Sequence, residues 1–484
     1  MNTNSLKNKV TNAAFWSFLQ KIGSKGIGML ITVLLARILT PSDFGLIGMI
    51  MIFIYLGEAI MSGGFKIALI QKKDADEIDY SSVFYLNLII SFCFYFLLFV
   101  IAPLIADFYE QHILINLIRV LGLFFIINSF ALVQETKLEK ELNFKILMFV
   151  HLPSIIIAGI VSLLMAYYGY GVWSIIAMHL VNRLCYAIQI WFYSKWKPLW
   201  VFNKFRVKSL FDFGGKILIA QLLGVVFNNI YVVVIGKLFP VKFAGYYQNA
   251  FYITSNPSGV ISSVINSVSF PAFSAIQDDD KKLKSGYQKV IQQVFFWICP
   301  IFLFAGILAE PIFKLIFNEK WLESIPYFQW LCVLAVFQPL YNFNINIANI
   351  KGRSDLFLKL QLIRRGMILI GILIVIFYKN IQLLLAIQAI LSILTYILFS
   401  LVSGRLINYS LKEQVIDLLP TLILCFFLGV GLYFMDIFLI IKSLILRLTL
   451  DLTIIGILYL GLSSMFNLSA FKDMHQLILN KIRK

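Results

Sequence analysis

The sequence predicts an all-α, polytopic membrane protein, and three observations carry that expectation. Of its 484 residues, 60% are hydrophobic and 13% charged, whereas soluble globular chains run nearer half apolar and a quarter charged. The 45 Phe and 22 Tyr would be an aggregation hazard on a surface facing water. Apolar stretches of about 20 residues, the length that crosses the hydrocarbon, recur along the whole chain with short loops between them.

Fourteen such spans are readable: 12–36, 42–62, 81–105, 113–134, 145–167, 171–193, 211–235, 243–273, 287–308, 324–350, 356–378, 381–403, 416–435 and 444–466. The first follows no cleavage-site pattern and is too long for a signal-peptide core, so it is expected to stay as the first helix. The segments 243–273 and 324–350 carry Pro257, Pro271, Pro326 and Pro339, which predict kinks because proline removes a backbone donor. The loop 194–210 is flanked by Trp191, Trp196 and Trp200, residues suited to the membrane interface. No loop is long enough for an extramembrane domain, so the function is expected inside the bilayer.

Fourteen spans place both termini on one side. With the N-terminus cytoplasmic, 26 of the 41 Lys and Arg fall in cytoplasmic loops or tails, 8 on the opposite side and 7 within spans. That asymmetry fixes the orientation by the positive-inside rule. It also accounts for the net charge of +17 without a nucleic-acid partner.

An internal repeat is visible. Arg37-Ile-Leu followed by Gly45 lies 200 residues before Lys237-Leu-Phe followed by Gly245, and Pro103-Leu-Ile-Ala-Asp-Phe-Tyr lies 208 residues before Pro311-Ile-Phe-Lys-Leu-Ile-Phe. An offset of six spans makes the repeats parallel, a plan that transporters use with a site between two lobes.

The charges inside spans are the candidate functional residues, since each costs on the order of 3 kcal/mol or more near the bilayer centre and normally faces a cavity or a partner. The bases are Lys21, Lys25, Arg119, Arg183, Lys216, Arg364 and Arg365; the main acids are Glu58 and Asp451. Lys21 and Lys25 share a face of the first helix. Lys25 lies about 20 Å from its cytoplasmic end. Two readings stay open for Lys216, Arg364 and Arg365: lining a cavity, or snorkelling to the interface. Glu58 reads either as a coupling acid or as the packed partner of Lys21. Asn228 and Asn229 on the seventh span read as cavity polar groups or as interhelical hydrogen-bonding groups. With bases outnumbering acids, an anionic cargo is favoured, phosphate or diphosphate above all.

Other chemistries lack their motifs. Cys93, Cys185, Cys299, Cys332 and Cys425 lie in apolar stretches with no CxxC pair, so neither disulfides nor a metal site are expected. There is no HExxH, Walker A or dinucleotide fingerprint, and therefore no nucleotide cofactor and no expectation of an enzyme.

The stretch 34–54, LLARILTPSDFGLIGMIMIFI, with Gly63-Gly64-Phe65 and Ala68-Leu69-Ile70-Gln71, resembles the polysaccharide flippases of the multidrug/oligosaccharidyl-lipid/polysaccharide superfamily. Ala102 to Ile105, Phe108-Tyr109, Phe213-Gly214, Gly245-Tyr246-Tyr247, Phe270 to Ser274 and Gly352-Arg353-Ser354 fit the same pattern, nearest to the colanic-acid and teichuronic-acid exporter branch. The resemblance covers residues 10 to 365. It implies two pseudo-symmetric six-helix lobes, 1–200 and 201–405, and a C-terminal helix pair with a basic tail, 406–484. It further implies a bacterial inner membrane, an oligosaccharide on a polyprenyl diphosphate as cargo, and other polysaccharide-assembly proteins and membrane lipids as partners. On this resemblance Lys25, Arg119 and Arg183, with Lys21, Lys216 and Arg364, are candidates to meet the diphosphate and nearby sugars, and Asn228 and Asn229 to meet sugars. Glu58 and Asp451 are candidates for a coupling proton or sodium ion, the membrane potential being the other driving force. The competing readings are a drug/cation antiporter of the same superfamily, a membrane-bound polymerase or glycosyltransferase, and a structural partner of the export machinery.

Overall fold

The computed structural model describes residues 3–438 and 443–482. Every regular element among them is helical, as an environment without water requires of any segment that must satisfy its own backbone. The chain divides into two compact units, Met1–Gln248 and Asn249–Lys484.

The first unit contains α1 (Thr3–Ile38), α2 (Pro41–Ser62), α3 (Phe65–Gln71), α4 (Glu77–Tyr109), α5 (Ile113–Leu121), α6 (Leu123–Lys140), α7 (Phe144–Tyr167), α8 (Trp173–Ser194) and α9 (Lys204–Leu238); α10 (Val241–Ser274) begins there and continues into the second. The second unit holds α11 (Asp280–Ile307), α12 (Ala309–Phe317), a 3-10 turn (Glu319–Ser324), α13 (Ile325–Ile350), α14 (Ser354–Tyr378), α15 (Ile381–Leu406), α16 (Leu411–Phe438), α17 (Leu444–Met465) and α18 (Ser469–Ile482). Among the described residues, thirteen helical stretches are long and apolar enough to cross a membrane, and they coincide with thirteen of the fourteen spans read from the sequence. The remaining one, 243–273, lies in α10, a helix of 34 residues whose Asn249, Thr254, Asn256, Asn266 and many serines make it too polar to join them.

Local chemistry sets the boundaries. Thr40 caps α2 in a reciprocal box with Asp43 (Thr40 N to Asp43 Oδ2, 2.9 Å) and Pro41 opens the helix, where a missing N–H costs nothing. Asp76 and Asp79 form the same box at the start of α4. Gly63 and Gly64, at φ +43° and +73°, take the left-handed conformation that side chains avoid and break α2 from α3. Pro326 sits in the first turn of α13, where it is accommodated, while Pro339 lies inside that helix.

In the first unit α1 packs along α7, α7 on α8, α8 on α6, and α9 along α2. An apolar cluster of Phe65, Leu69, Tyr80, Phe84, Val133 and Trp196 binds α3, α4, α6 and the α8–α9 connection together. In the second unit Asn344 of α13 is the polar tie: it bonds Ser400 Oγ at 2.9 Å, accepts from Ser403 Oγ at 2.8 Å and accepts from the Tyr287 hydroxyl. The C-terminal helix α18 docks on α11 through Ser469 Oγ to Gln292 Oε1 at 3.0 Å.

The first residues of α2 and α10 cross with their backbones touching. A Cβ on Gly45 would lie 2.1 Å from the Val241 carbonyl oxygen, and one on Gly245 1.7 Å from the Pro41 oxygen. Both pairs, 41/241 and 45/245, are separated by the 200 residues of the repeat, so the two contacts are reciprocal. Small residues permit such approaches in membrane helices. Gly45→Ala and Gly245→Ala are therefore expected to destabilise the detergent-solubilised protein by about 1–3 kcal/mol, read as a fall in thermal midpoint. Gly26→Ala, where a Cβ meets nothing within 4 Å, should leave it unchanged or higher.

Candidate functional site

The charges that the first unit brings together sit on helices packed around α6. Glu135 and Glu139 are one turn apart on α6 and so share a face. Lys66, the second residue of α3, reaches both carboxylates, with Nζ 2.8 Å from Glu135 Oε1 and 2.8 Å from Glu139 Oε1. The glycine break makes this possible by turning the chain into α3. From α8, Arg183 Nη2 lies 3.4 Å from Glu135 Oε2, and its guanidinium lies over the Tyr186 ring at 4.7 Å. Tyr186 packs edge-on against His151 of α7, whose Nδ1 is 3.2 Å from Ser24 Oγ on α1. Glu58 of α2 is exposed and feels the charges of Arg183 and Glu135, while Lys21 of α1 acts on Glu139. The side chains of Lys66, Glu135, Glu139 and Arg183 keep 17–24% of their surface, so the network is partly buried yet reachable.

The residues expected from the sequence separate accordingly. Arg183 belongs to this network through Glu135; among the described residues Lys21 and Glu58 make no hydrogen bond or ion pair with it and act on it only through their charge. Lys25 is exposed on α1 with no hydrogen bond or ion pair among the described residues. Arg119 on α5 is held by α4: its guanidinium covers the Phe99 ring at 4.2 Å and Nε donates to the Phe99 oxygen at 3.5 Å. Asn228 is exposed, whereas Asn229 Nδ2 donates to Val225 O of its own helix at 2.8 Å. The side chain of Lys216 lies outside the described residues. In the second unit Arg364 rests on Tyr341, 4.8 Å from the ring and 3.2 Å from its hydroxyl. Asp451 is buried on α17 with Arg447 Nε at 4.0 Å.

Lys66, Glu135 and Glu139 are functional candidates that the sequence reading missed. Lys66 lies past the second span read from the sequence, 42–62, and Glu135 lies one residue past the fourth, 113–134. The available signal is the pair of glutamates at i, i+4 in the last turns of an apolar helix.

A second set of ties closes the same end of the unit. Lys72 bonds Asp79 at 2.6 Å, Arg206 reaches Asp76 at 2.5 Å and Asp79 at 3.3 Å, and Lys137 pairs with Glu77 at 2.8 Å. Three loops assigned to one side by their charge thus converge. The hydrogen bond from Arg206 holds the Asp76 carboxyl down to about 2. A depressed carboxyl keeps its stabilising effect above its ordinary 3.8 and loses it as the pH falls through about 2, so this tie persists at every physiological pH.

A double-mutant cycle between Lys66 and Glu135 is expected to return a coupling of about 1–3 kcal/mol, since partners in one buried network are not additive. The exposed pair Lys282–Asp279, 3.0 Å apart, should return at most about 1 kcal/mol. Thermal unfolding of the single and double alanine variants measures both.

Residues 34–326 match the family described as polysaccharide biosynthesis protein. The chain is 24% identical over 357 residues to the teichuronic acid biosynthesis protein TuaB of Bacillus subtilis (strain 168), covering 73% of each. It is 24% identical over 362 residues to the lipopolysaccharide biosynthesis protein WzxC of Escherichia coli (strain K12), covering 74% of each. Among solved structures it superposes on the lipid II flippase MurJ in an inward closed conformation with a TM-score of 0.75 at 15% identity, over 96% of this chain and 99% of that one.

Proposed function

Because the chain belongs to the polysaccharide biosynthesis protein family, we propose that it is a flippase that moves an oligosaccharide repeat unit on a polyprenyl diphosphate across the bacterial cytoplasmic membrane, for surface polysaccharide assembly. The observation that supports the reading is that Lys66 and Arg183, partly exposed, belong to candidate membrane spans, with Lys21 and Lys25 exposed on α1. A diphosphate and its sugars lose their hydration at great cost on entering lipid, and fixed cations replace part of that water. The lipid tail needs no such help. Leu184 and Ile188, next to Arg183 on α8, line an apolar groove with Ile126, Ile127 and Phe130 of α6, about 430 Å³ in volume. Along it a polyprenyl chain would rest while its head meets the charges. Exposure of the cations to each aqueous side in turn would complete the cycle. The relatives, biosynthesis proteins of teichuronic acid and of lipopolysaccharide, and the fold shared with a lipid II flippase support the same cargo class. The excess of Lys and Arg in one set of loops supports cytoplasmic termini.

Glu58, Glu135 and Glu139 bring in the rival reading, an antiporter for cationic drugs. A cation carrier needs carboxylates open to its cargo, and two of these three are engaged by Lys66.

In a strain depending on this protein, Arg183→Gln is expected to abolish surface polysaccharide while the protein stays in the membrane at wild-type level, and Arg183→Lys to restore part of it. Complete lipid-linked repeat units should accumulate facing the cytoplasm. Wild-type polysaccharide in Arg183→Gln, or intermediates accumulating on the outer face, would sink the flippase reading.

A further inference from the structure

Lys66 and Arg183 are already occupied. Lys66 is shared between two carboxylates, and Glu135 is shared between two cations, so the four side chains carry no net charge together. A diphosphate brought to Lys66 and Arg183 with both glutamates ionised would place its negative charge against theirs at hydrogen-bonding range in a site of low dielectric, where like charges repel strongly. One carboxylate must give way. Glu135 is the one placed to do so, because it alone contacts both Lys66 and Arg183, whereas Glu139 contacts Lys66 only.

We propose that Glu135 stands in for the cargo's phosphate while the transporter is empty, and that an anionic diphosphate takes over Arg183 and Lys66 as Glu135 gains a proton. The proposal rests on the flippase reading and adds to it a proton-linked step. A proton from the aqueous phase adds to a Glu135 carboxylate oxygen. Its hydrogen bonds from Lys66 Nζ and Arg183 Nη2 give way to bonds from the same nitrogens to phosphate oxygens. The new O–H becomes a further donor toward phosphate. No covalent bond of the cargo changes, and release reverses each exchange.

The charged and titratable groups around Glu135 come from every helix of the network: Lys21 on α1, Glu58 on α2, Lys66 on α3, Glu139 on α6, His151 on α7, and Arg183 with Tyr186 on α8. Glu58, Glu139 and His151 could each take the proton instead, and His151 is the one base among them. Its ring nitrogen, however, faces Ser24 on α1 at 3.2 Å, and protonating it adds a cation without freeing one that Glu135 holds.

The test is calorimetric titration of geranylgeranyl diphosphate into the full-length protein in lipid nanodiscs, between pH 6 and 8, in buffers of different ionisation enthalpy. For one linked proton the affinity should rise about tenfold for each unit the pH falls, beyond the probe's own titration. Glu135→Gln should bind more tightly at pH 8, with its proton uptake reduced to that of the probe. Glu139→Gln and His151→Asn should keep the wild-type slope. Equal proton uptake by wild type and Glu135→Gln, or a slope lost in His151→Asn and kept in Glu135→Gln, would overturn the proposal. Should Glu135→Gln fail to fold, the wild-type uptake across buffers decides alone, an uptake no greater than the probe's own being fatal to the idea. If instead wild type binds the probe no better than Arg183→Gln at any pH, the anion site itself is wrong and the flippase reading loses its central observation.

Discussion

A charge within a candidate membrane span must be matched, and the Lys66–Glu135–Arg183 bridge is where this fold meets that demand. An unpaired ion there is costly enough to exclude the conformation that leaves it so. The bridge therefore adds a charged tie to the apolar packing that already joins α3, α6 and α8. α3 is only seven residues long, too short to hold itself in place by helix propensity. It is pinned by Phe65 and Leu69 in the apolar cluster, by Lys66 in the charge network, and by the glycine backbone of α9, since a Cβ on Gly64 would lie 2.3 Å from Gly214. Polar and apolar ties act on the same short segment, and the glycine pair before it is what lets the chain reach both.

The same economy of space appears where α2 meets α10. In lipid, helices gain no hydrophobic advantage from meeting one another, so dispersion at close range has to serve. Gly45 and Gly245 let two backbones touch, each against the carbonyl of the residue that opens the other helix. A weak likeness of sequence at an offset of 200 residues becomes a reciprocal contact. The glycines are informative because no other residue fits, whereas the apolar positions around them accept many alternatives.

This difference explains how much the sequence could say. Thirteen of the fourteen spans are legible because hydrocarbon thickness imposes a length, which does not depend on which side chains touch. Partners were not readable, since a helix written as a line hides its faces. Arg119 reads from the sequence as a cavity cation and Arg364 as either a cavity or a snorkelling one, and each lies on an aromatic ring, Phe99 and Tyr341, a local arrangement worth about 1–2 kcal/mol that no spacing announces. Asn229 spends its amide on its own helix. Conversely Lys66, Glu135 and Glu139 sat at the margins of spans, where hydropathy falls and a boundary drawn by composition places them outside. The charges that matter most to this site were hidden by the very polarity that makes them matter.

A bare row of cations would also make a poor carrier. After releasing its cargo such a protein must return empty, and unmatched cations would then stand in a low-dielectric site with nothing to balance them. Carboxylates that replace the cargo's negative charge remove that obstacle. In the first unit the two glutamates of α6 match Lys66 and Arg183 in charge, and Glu58 and Lys21 add one of each sign nearby. The empty state is thus close to neutral, and affinity for an anion becomes a contest between ligands rather than a fixed attraction. Such a contest binds less tightly than open cations would, and for a transporter that is the better compromise, because a cargo held too firmly is never delivered.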